Sequence, residues 1–434
     1  MSRRWLVSLL LLSSVAFAHE LPDHRQGFIT SITSATSFTV DGAPVTCNDH
    51  TRLGVVEPGK TTYTPATTAD LVLAEHVEIE GHRQSGQYIA DTVRVARPPQ
   101  QERTVHGHVL TLVGSQLQRG PDGAWRGVVK IDGRDLLVEP GAAFSFGPAT
   151  EGTVPAGVWA DYEATWKPDY RFHLNKLSLR ESQVLPDEIE FRKHASERIT
   201  PPDATNNGRG SMKTLLSRHI ALISSPETQR MESIGERLLP EYQKQLPEAD
   251  PRKIHFRFFV ADVKQASTGW GLPGGEIVLP KGTLEKLGNN DAAIAAEMAR
   301  LMANVLEERA YHAGDQPHRM RNRAIAGAAL AGVVTGMILS PEFAATELIT
   351  GSYYANGAFE SASAQTFAAN CRIAMQMMQA AGFDPVQLPL TMTAILFSAS
   401  AMDKVGEQTP LYYAVLMREV RENYGRPPAP SSEN

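Results

Sequence analysis

Cysteine is nearly absent from this chain: Cys47 and Cys371 are the only two among 434 residues. That leaves room for at most one disulfide and excludes a scaffold stapled by several. The two lie in regions of different character, so they read as two unpaired, buried thiols. A basic excess is also missing, since Lys and Arg number 42 against 48 Asp and Glu, for a formal net charge of −6. A nucleic-acid binder needs a basic face to neutralise phosphates, so that class is excluded. Aromatic residues make up 7% of the chain, and Trp125, Trp159 and Trp166 are too few for a base- or sugar-stacking ladder. Long apolar runs are scarce as well. Ala324 to Leu339 has 16 residues, interrupted by Thr335 and half Ala and Gly, short of the ~20 that span a bilayer. Flanked by Arg319, Arg321 and Arg323, it reads as a buried helical hairpin or an interface, with peripheral membrane contact through 324–339 as the second reading.

What is present is a globular composition, 42% hydrophobic and 21% charged, in a chain long enough for two to four domains. The N-terminus reads as a secretory leader spanning residues 1–18. Arg3 and Arg4 supply its charge, Leu6 to Val15 its apolar stretch, and Ala16-Phe17-Ala18 the small-x-small cleavage pattern. Cleavage after Ala18 leaves His19 first and a net charge of −8. With no cysteine after the cut, the expectation is an exported protein, periplasmic or secreted.

Residues 19–98 read as a small β-module. GFITSITS, SFTVDGAPVTC and HVEIEGHRQSGQYIADTVRV alternate polar with β-branched or aromatic residues around Asp41-Gly42 and Ser85-Gly86 turns. The alternation predicts a five- or six-stranded barrel. Residues 102–182 repeat the plan: GHVLTLVGSQLQ echoes the first strand, VVKIDGRDLLV carries Asp132-Gly133 at the same turn, and GVWADYEATWKPDYRFHLNKLSL matches the final hairpin. The two modules, each of roughly 80 residues, form a tandem repeat. They resemble small exported β-barrel domains of unknown function with an OB-like strand pattern. Residues 183–211 read as a linker, polar and rich in Pro, Asn and Gly from Thr200 to Gly210. Helical periodicity is expected from about Met212, with Ser225-Pro226 opening a helix, and IHFRFFVAD, Ile254 to Asp262, forming a strand. The predicted class is α+β and multidomain: two barrel-like all-β modules, a mostly helical domain over 212–425 with a small sheet, and a disordered tail, 426–434.

The most informative stretch runs GWGLPGGEIVLPKGTLEKLGNNDAAIAAEMARLMANVLEER, from Gly269 to Arg309. It resembles the core of the CAAX-prenyl-protease-like zinc metallopeptidases, in which an L-P-G-G strand segment leads into a helix carrying H-E-x-x-H. The resemblance extends to ANCRIAMQMMQAAGFDP, ending at Pro385, and covers about residues 212–425. In that family the paired histidines bind zinc, the glutamate between them activates water, and a later helix supplies a further glutamate ligand. No H-E-x-x-H occurs in this chain. Ile294, Met298, Leu301, Met302 and Val305 fix the helix register, which places Arg300 and Asn304 at the two histidines and Leu301 at the glutamate. Counting back from the AAGFDP run puts Phe367 at the third ligand, Ala369 at a second Glu and Cys371 at an Asp; Thr409-Pro410 falls where the family often has His-Pro. Arginine keeps its proton and is no zinc ligand, so the resemblance implies a peptidase frame that has lost zinc, leaving no cofactor. Arg300 either pairs with Glu297, three residues earlier, or faces solvent on a polar stripe beside Asn304.

Two rival metal sites remain weaker than their ordinary readings. His106 and His108 share one side of a strand, as exposed polar residues do, and Glu308, His312 and His318 read as a solvated helix end. The functional expectation is a non-catalytic pseudopeptidase of the cell envelope. It holds an extended peptide or an envelope protein partner in a chaperone-like or scaffold role. Strand addition at Trp270, Gly271, Leu272, Pro273, Gly274, Gly275, Glu276, Ile277 and Val278 rests on main-chain bonds that do not need zinc. The alternatives are an active metalloendopeptidase with a non-standard site and a structural subunit of an envelope assembly.

Overall fold

Paired residues of positive φ shape the N-terminal half. Asp41 and Gly42 (φ 48° and 79°), Ser85 and Gly86 (52° and 83°), and Asp132 and Gly133 (56° and 68°) all adopt the left-handed conformation that two-residue hairpins require. The computed structural model describes residues 23–56, 63–97, 102–147, 149–213, 219–307, 362–396 and 411–425. The expected leader, the segment 324–339, the Glu308/His312/His318 group, Thr409-Pro410 and the expected tail lie outside the described residues.

The first unit comprises β1 (Asp23–Ser34), β2 (Ser37–Val40), β3 (Ala43–Thr46), β4 (Arg52–Val56), β5 (Tyr63–Pro65), β6 (His76–Gln84) and β7 (Gln87–Ala96). They form a barrel-like sheet in the order β3-β2-β1-β6-β7-β4-β5, which curls round because β3 also meets β7 at Thr46 and Ile89. Ile29, Phe38, Val45, Val77, Ile79, Val93 and Val95 fill its interior. The strand count is seven rather than the five or six expected from alternation. β4 runs parallel along β7 beyond β3, and the three-residue β5 adds to β4.

The second unit comprises β8 (Arg103–Leu110), β9 (Ser115–Gln116), β10 (Gln118–Arg119), β11 (Trp125–Arg126), β12 (Val128–Ile131), β13 (Arg134–Ser145), β14 (Thr153–Val154), β15 (Trp159–Lys167) and β16 (Arg171–Arg180). Its main sheet is ordered β12-β13-β16-β15-β8. The pairing follows that of the first unit: an antiparallel hairpin across the Asp-Gly turn, a parallel contact with the last strand, and a long C-terminal hairpin. Both long hairpins shift register at the same place, after Glu80 in β6 and after Glu163 in β15.

The third region is not mostly helical at its start. The expected linker 183–211 holds helix α1 (Pro186–Ser196) and β17 (Ile199–Thr200), and runs into β18 (Arg209–Lys213), followed by β19 (His219–Ile223). These join β20 (Arg257–Ala261), β21 (Trp270–Gly271) and β22 (Glu276–Pro280) in a six-stranded sheet ordered β17-β18-β19-β20-β22-β21. The polar Pro/Asn/Gly stretch is a hairpin end: Asp203 accepts bonds from the amides of Thr205 and Asn206 at 2.8 and 3.1 Å, and Asn207 is left-handed. Met212 and Leu222 are buried among Phe259, Ala261 and Val278 on one sheet face, so pairing overrides the helical reading of this stretch. Helix α2 (Pro226–Leu238) does begin where Ser225 caps the amide of Glu227.

Helix α3 (Glu241–Gln245), α4 (Lys281–Leu287), α5 (Asp291–Leu306), α6 (Ala362–Ala380), α7 (Gln387–Leu396) and α8 (Leu411–Tyr424) complete the described chain. The α5 helix is apolar on nearly every side, as a fully enclosed helix must be. It shares one core with Val260, Ile277 and Leu279 of the sheet, with α2, and with Ile373, Met377, Leu388 and Met392 of α6 and α7.

Candidate functional site

Burying α5 also buries its charged residues. Glu297 is wholly enclosed and Arg300 is 5% exposed, and two charges so placed must satisfy one another. They do so as a two-pronged pair: Arg300 Nε donates to Glu297 Oε2 at 2.8 Å, and Arg300 Nη2 to Glu297 Oε1 at 2.7 Å. The solvent-facing alternative for Arg300 is therefore corrected; Asn304 is half-buried. Glu297 Oε1 also accepts the backbone amide of Gly269 at 2.7 Å. One carboxylate thus ties the helix to the chain leading into β21. From α6, the Asn370 amide donates to Asn304 Oδ1. Sequence reasoning passed over Asn370; its signal is a polar residue inside the apolar run of α6.

The nine residues expected to hold peptide divide into three environments. Trp270 and Gly271 form β21, the edge of the sheet, with Trp270 opposite Val278 and Gly271 opposite Ile277. Leu272, Pro273, Gly274 and Gly275 make a tight turn, closed by Gly275 N to Leu272 O at 2.9 Å and Leu272 N to Glu276 O at 2.8 Å. Gly275 is at φ 102°. Glu276, Ile277 and Val278 lie in β22, which is bonded to β20 on one side and β21 on the other. Their backbone is already committed, so a further strand can reach only β21.

Alternation narrows this edge. The Leu272–Glu276 bond marks a hydrogen-bonded position, as is Trp270–Val278 two residues on, and Gly271 falls between them with its N–H and C=O turned outward. Gly269 is the next outward position, and its amide is held by Glu297. Beneath β21 lies α5: a Cβ on Gly271 would sit 2.9 Å from the Leu301 carbonyl, and one on Gly269 would sit 2.9 Å from the Leu301 side chain. Glycine is needed at both positions for this close approach. Leu301, at the expected glutamate position, is a packing residue under the edge strand.

These residues do not fit a zinc ion. The metal requires unshared electron pairs from several side chains converging at about 2.0–2.3 Å. Arg300 offers only protons, and its partner carboxylate is consumed by the guanidinium and by Gly269. Phe367 lies within α6 and brings no donor atom. Cys371, on the same helix, is buried in the shared core. Cys47 is buried in the first unit, and no disulfide joins the two. Among the described residues, no three His, Cys, Asp or Glu side chains converge as a metal site.

A second buried charge cluster holds the second β-unit to the helices. Asp132 Oδ2 accepts from Arg134 Nη1 at 2.8 Å, Arg372 Nη2 at 2.5 Å and Tyr162 Oη at 2.6 Å. Arg372 Nη1 reaches Glu419 Oε1 at 3.0 Å and Arg134 Nη2 reaches Glu419 Oε2 at 3.4 Å. Burial pushes both carboxyls up, but the facing Arg372 and Arg134 outweigh it and hold Asp132 and Glu419 below their ordinary values. The same turn in the first unit docks differently. Asp41 Oδ1 accepts from Tyr413 Oη of α8 at 2.6 Å and from the amide of Phe28 at 3.1 Å. No cation among the described residues faces it, and burial raises the Asp41 carboxyl against the lowering effect of those two bonds.

A protein-family model described as a domain of unknown function (DUF5666) matches residues 26–94. That range falls within the first β-unit. No curated protein matches the chain.

Proposed function

We propose that this chain is a non-catalytic pseudopeptidase of the cell envelope, a protein-binding scaffold whose C-terminal region has the frame of a zinc metallopeptidase without its reacting centre. The observation that carries the reading is the Glu297–Arg300 pair. It spends the buried carboxylate of α5 on the amide of Gly269, which leads into the edge strand, and on Arg300, the position where the resembling peptidases place their first zinc ligand. Metal-activated hydrolysis has no donor set at these positions. What survives is the outward backbone of Gly271 beside the Leu272–Gly274 turn. It suits a short main-chain contact with a protein partner better than a long extended peptide.

The test combines metal content with binding. The mature protein, purified without chelator or added zinc, should carry under ~0.1 zinc per chain, on the requirement for several ligands. It should leave unfolded protein uncut, and it should bind short fluorescein-labelled peptides with an anisotropy change that chelator leaves unaltered. Gly271→Val, which pushes β21 off α5, should abolish that change. Stoichiometric zinc with chelator-sensitive cleavage would overturn the proposal. A second reading, a structural subunit of an envelope assembly, is favoured by the capture of Gly269 by Glu297, which shortens the open edge. It predicts stable oligomers and no peptide affinity.

A further inference from the structure

The exposed face of the second β-unit carries a side-chain arrangement that the scaffold reading does not use. His106 and His108 stand two residues apart on β8, and register sets each opposite an acid on β15: His106 faces Glu163 and His108 faces Asp161. His108 Nδ1 lies 2.6 Å from Asp161 Oδ1, and His106 Nδ1 lies 3.7 Å from Glu163 Oε2. The His108 ring also stacks on Trp159, with centroids 4.9 Å apart and planes inclined by 6°. Arg180 Nε holds the other Asp161 oxygen at 2.8 Å. The imidazoles are accessible, with side chains 69% and 46% exposed.

We propose that His106 and His108 form a two-histidine site for a divalent copper or nickel ion. His108 Nδ1, 2.6 Å from Asp161 Oδ1, carries the ring proton when the imidazole is neutral, which leaves its unshared pair on Nε2; His106 Nδ1, 3.7 Å from Glu163, is not hydrogen-bonded and either ring nitrogen can bind an ion. Both Nε2 atoms are without a hydrogen-bond partner among the described residues. The Asp161–His108 couple is the arrangement by which outer groups orient metal-binding histidines. Side chains at i and i+2 of a strand share a face about 6.8 Å apart, a separation that two imidazoles close by leaning towards one ion. Imidazole nitrogens suit Cu²⁺ and Ni²⁺ rather than Mg²⁺ or Ca²⁺, and two protein ligands fall short of the three or four of a zinc site. Since no third protein ligand converges among the described residues, water or a partner's side chain completes the coordination. The first unit serves as an internal control: its equivalent strand β1 presents His24 and Gln26, and so lacks the second imidazole.

The experiment is calorimetric titration of Cu²⁺, and separately Ni²⁺, into the full mature chain, with Cu²⁺ electron paramagnetic resonance as a second readout. The expected result is one ion per chain with two nitrogen ligands. His106→Ala and His108→Ala should each weaken binding at least tenfold and reduce the nitrogen count by one. Asp161→Asn should weaken binding by about ten- to a hundredfold, the usual effect of losing an orienting partner. His24→Ala should change nothing. The three histidines are exposed and Asp161 is half-buried, and folding of each variant is checked by circular dichroism before titration. Unchanged affinity in both histidine variants, or no ion bound at micromolar protein, overturns the proposal.

Discussion

Glu297 and Arg300 show what one ion pair must do when a helix is enclosed. Removing one member leaves the other charged and buried, so Glu297→Ala should cost about 3–5 kcal/mol, read as a shift in the urea midpoint. Replacing both, as Glu297→Leu with Arg300→Met, should cost far less than the sum of the single changes, because two charges no longer need desolvating. The two docking aspartates predict opposite responses to acid. Asp41 is raised above its ordinary 3.8. Its contribution to stability is therefore present below that value and lost as pH rises through its folded value. Asp41→Asn should raise the urea midpoint at pH 7 and have less effect at pH 4. Asp132 is held below its ordinary 3.8, so its contribution is present above 3.8 and lost as pH falls through the lowered value. Asp132→Asn should then be damaging at pH 7 and progressively less so in acid.

At the scale of elements, the same two-residue hairpin serves one unit as a plain turn and another as a plug. Gly86 at the β6–β7 turn has φ 83° and nothing within 4 Å of an added Cβ, whereas a Cβ on Gly133 would lie 2.5 Å from the Arg372 carbonyl of α6. Gly86→Ala should cost only the left-handed strain, about 1 kcal/mol. Gly133→Ala should cost that plus a displacement of the docked turn, and differential scanning calorimetry should show the larger loss of melting temperature. Much of this was legible beforehand. The Asp-Gly and Ser-Gly pairs marked the hairpins, and the Ser225-Pro226 cap marked the start of α2. The strands β18 and β19 were not legible, because five residues each, with one buried side chain apiece, are too few to separate strand alternation from helical spacing.

The whole molecule is held together by contacts between units far apart in sequence: Tyr413 to Asp41, Arg372 to Asp132, and Arg103 to Glu422 at 2.8 Å. Units docked through buried charge should unfold together. Arg372→Met leaves Asp132 and Glu419 short of a cation, and should split the calorimetric transition in two, with the second β-unit released. Wild-type protein at pH 7 should give a single transition.

Local chemistry alone determined the β-rich N-terminal half, its repeated turns, and that Arg300, Asn304 and Phe367 stand where the resemblance expects zinc ligands, because turn conformation and ligand chemistry belong to single residues. The tertiary structure decided what those residues became. It turned Arg300 inward onto Glu297, gave that carboxylate the Gly269 amide, committed both sides of β22, and set the Asp132 turn against Arg372. Each of these depends on which groups lose water together, and that is settled only when distant segments of the chain pack.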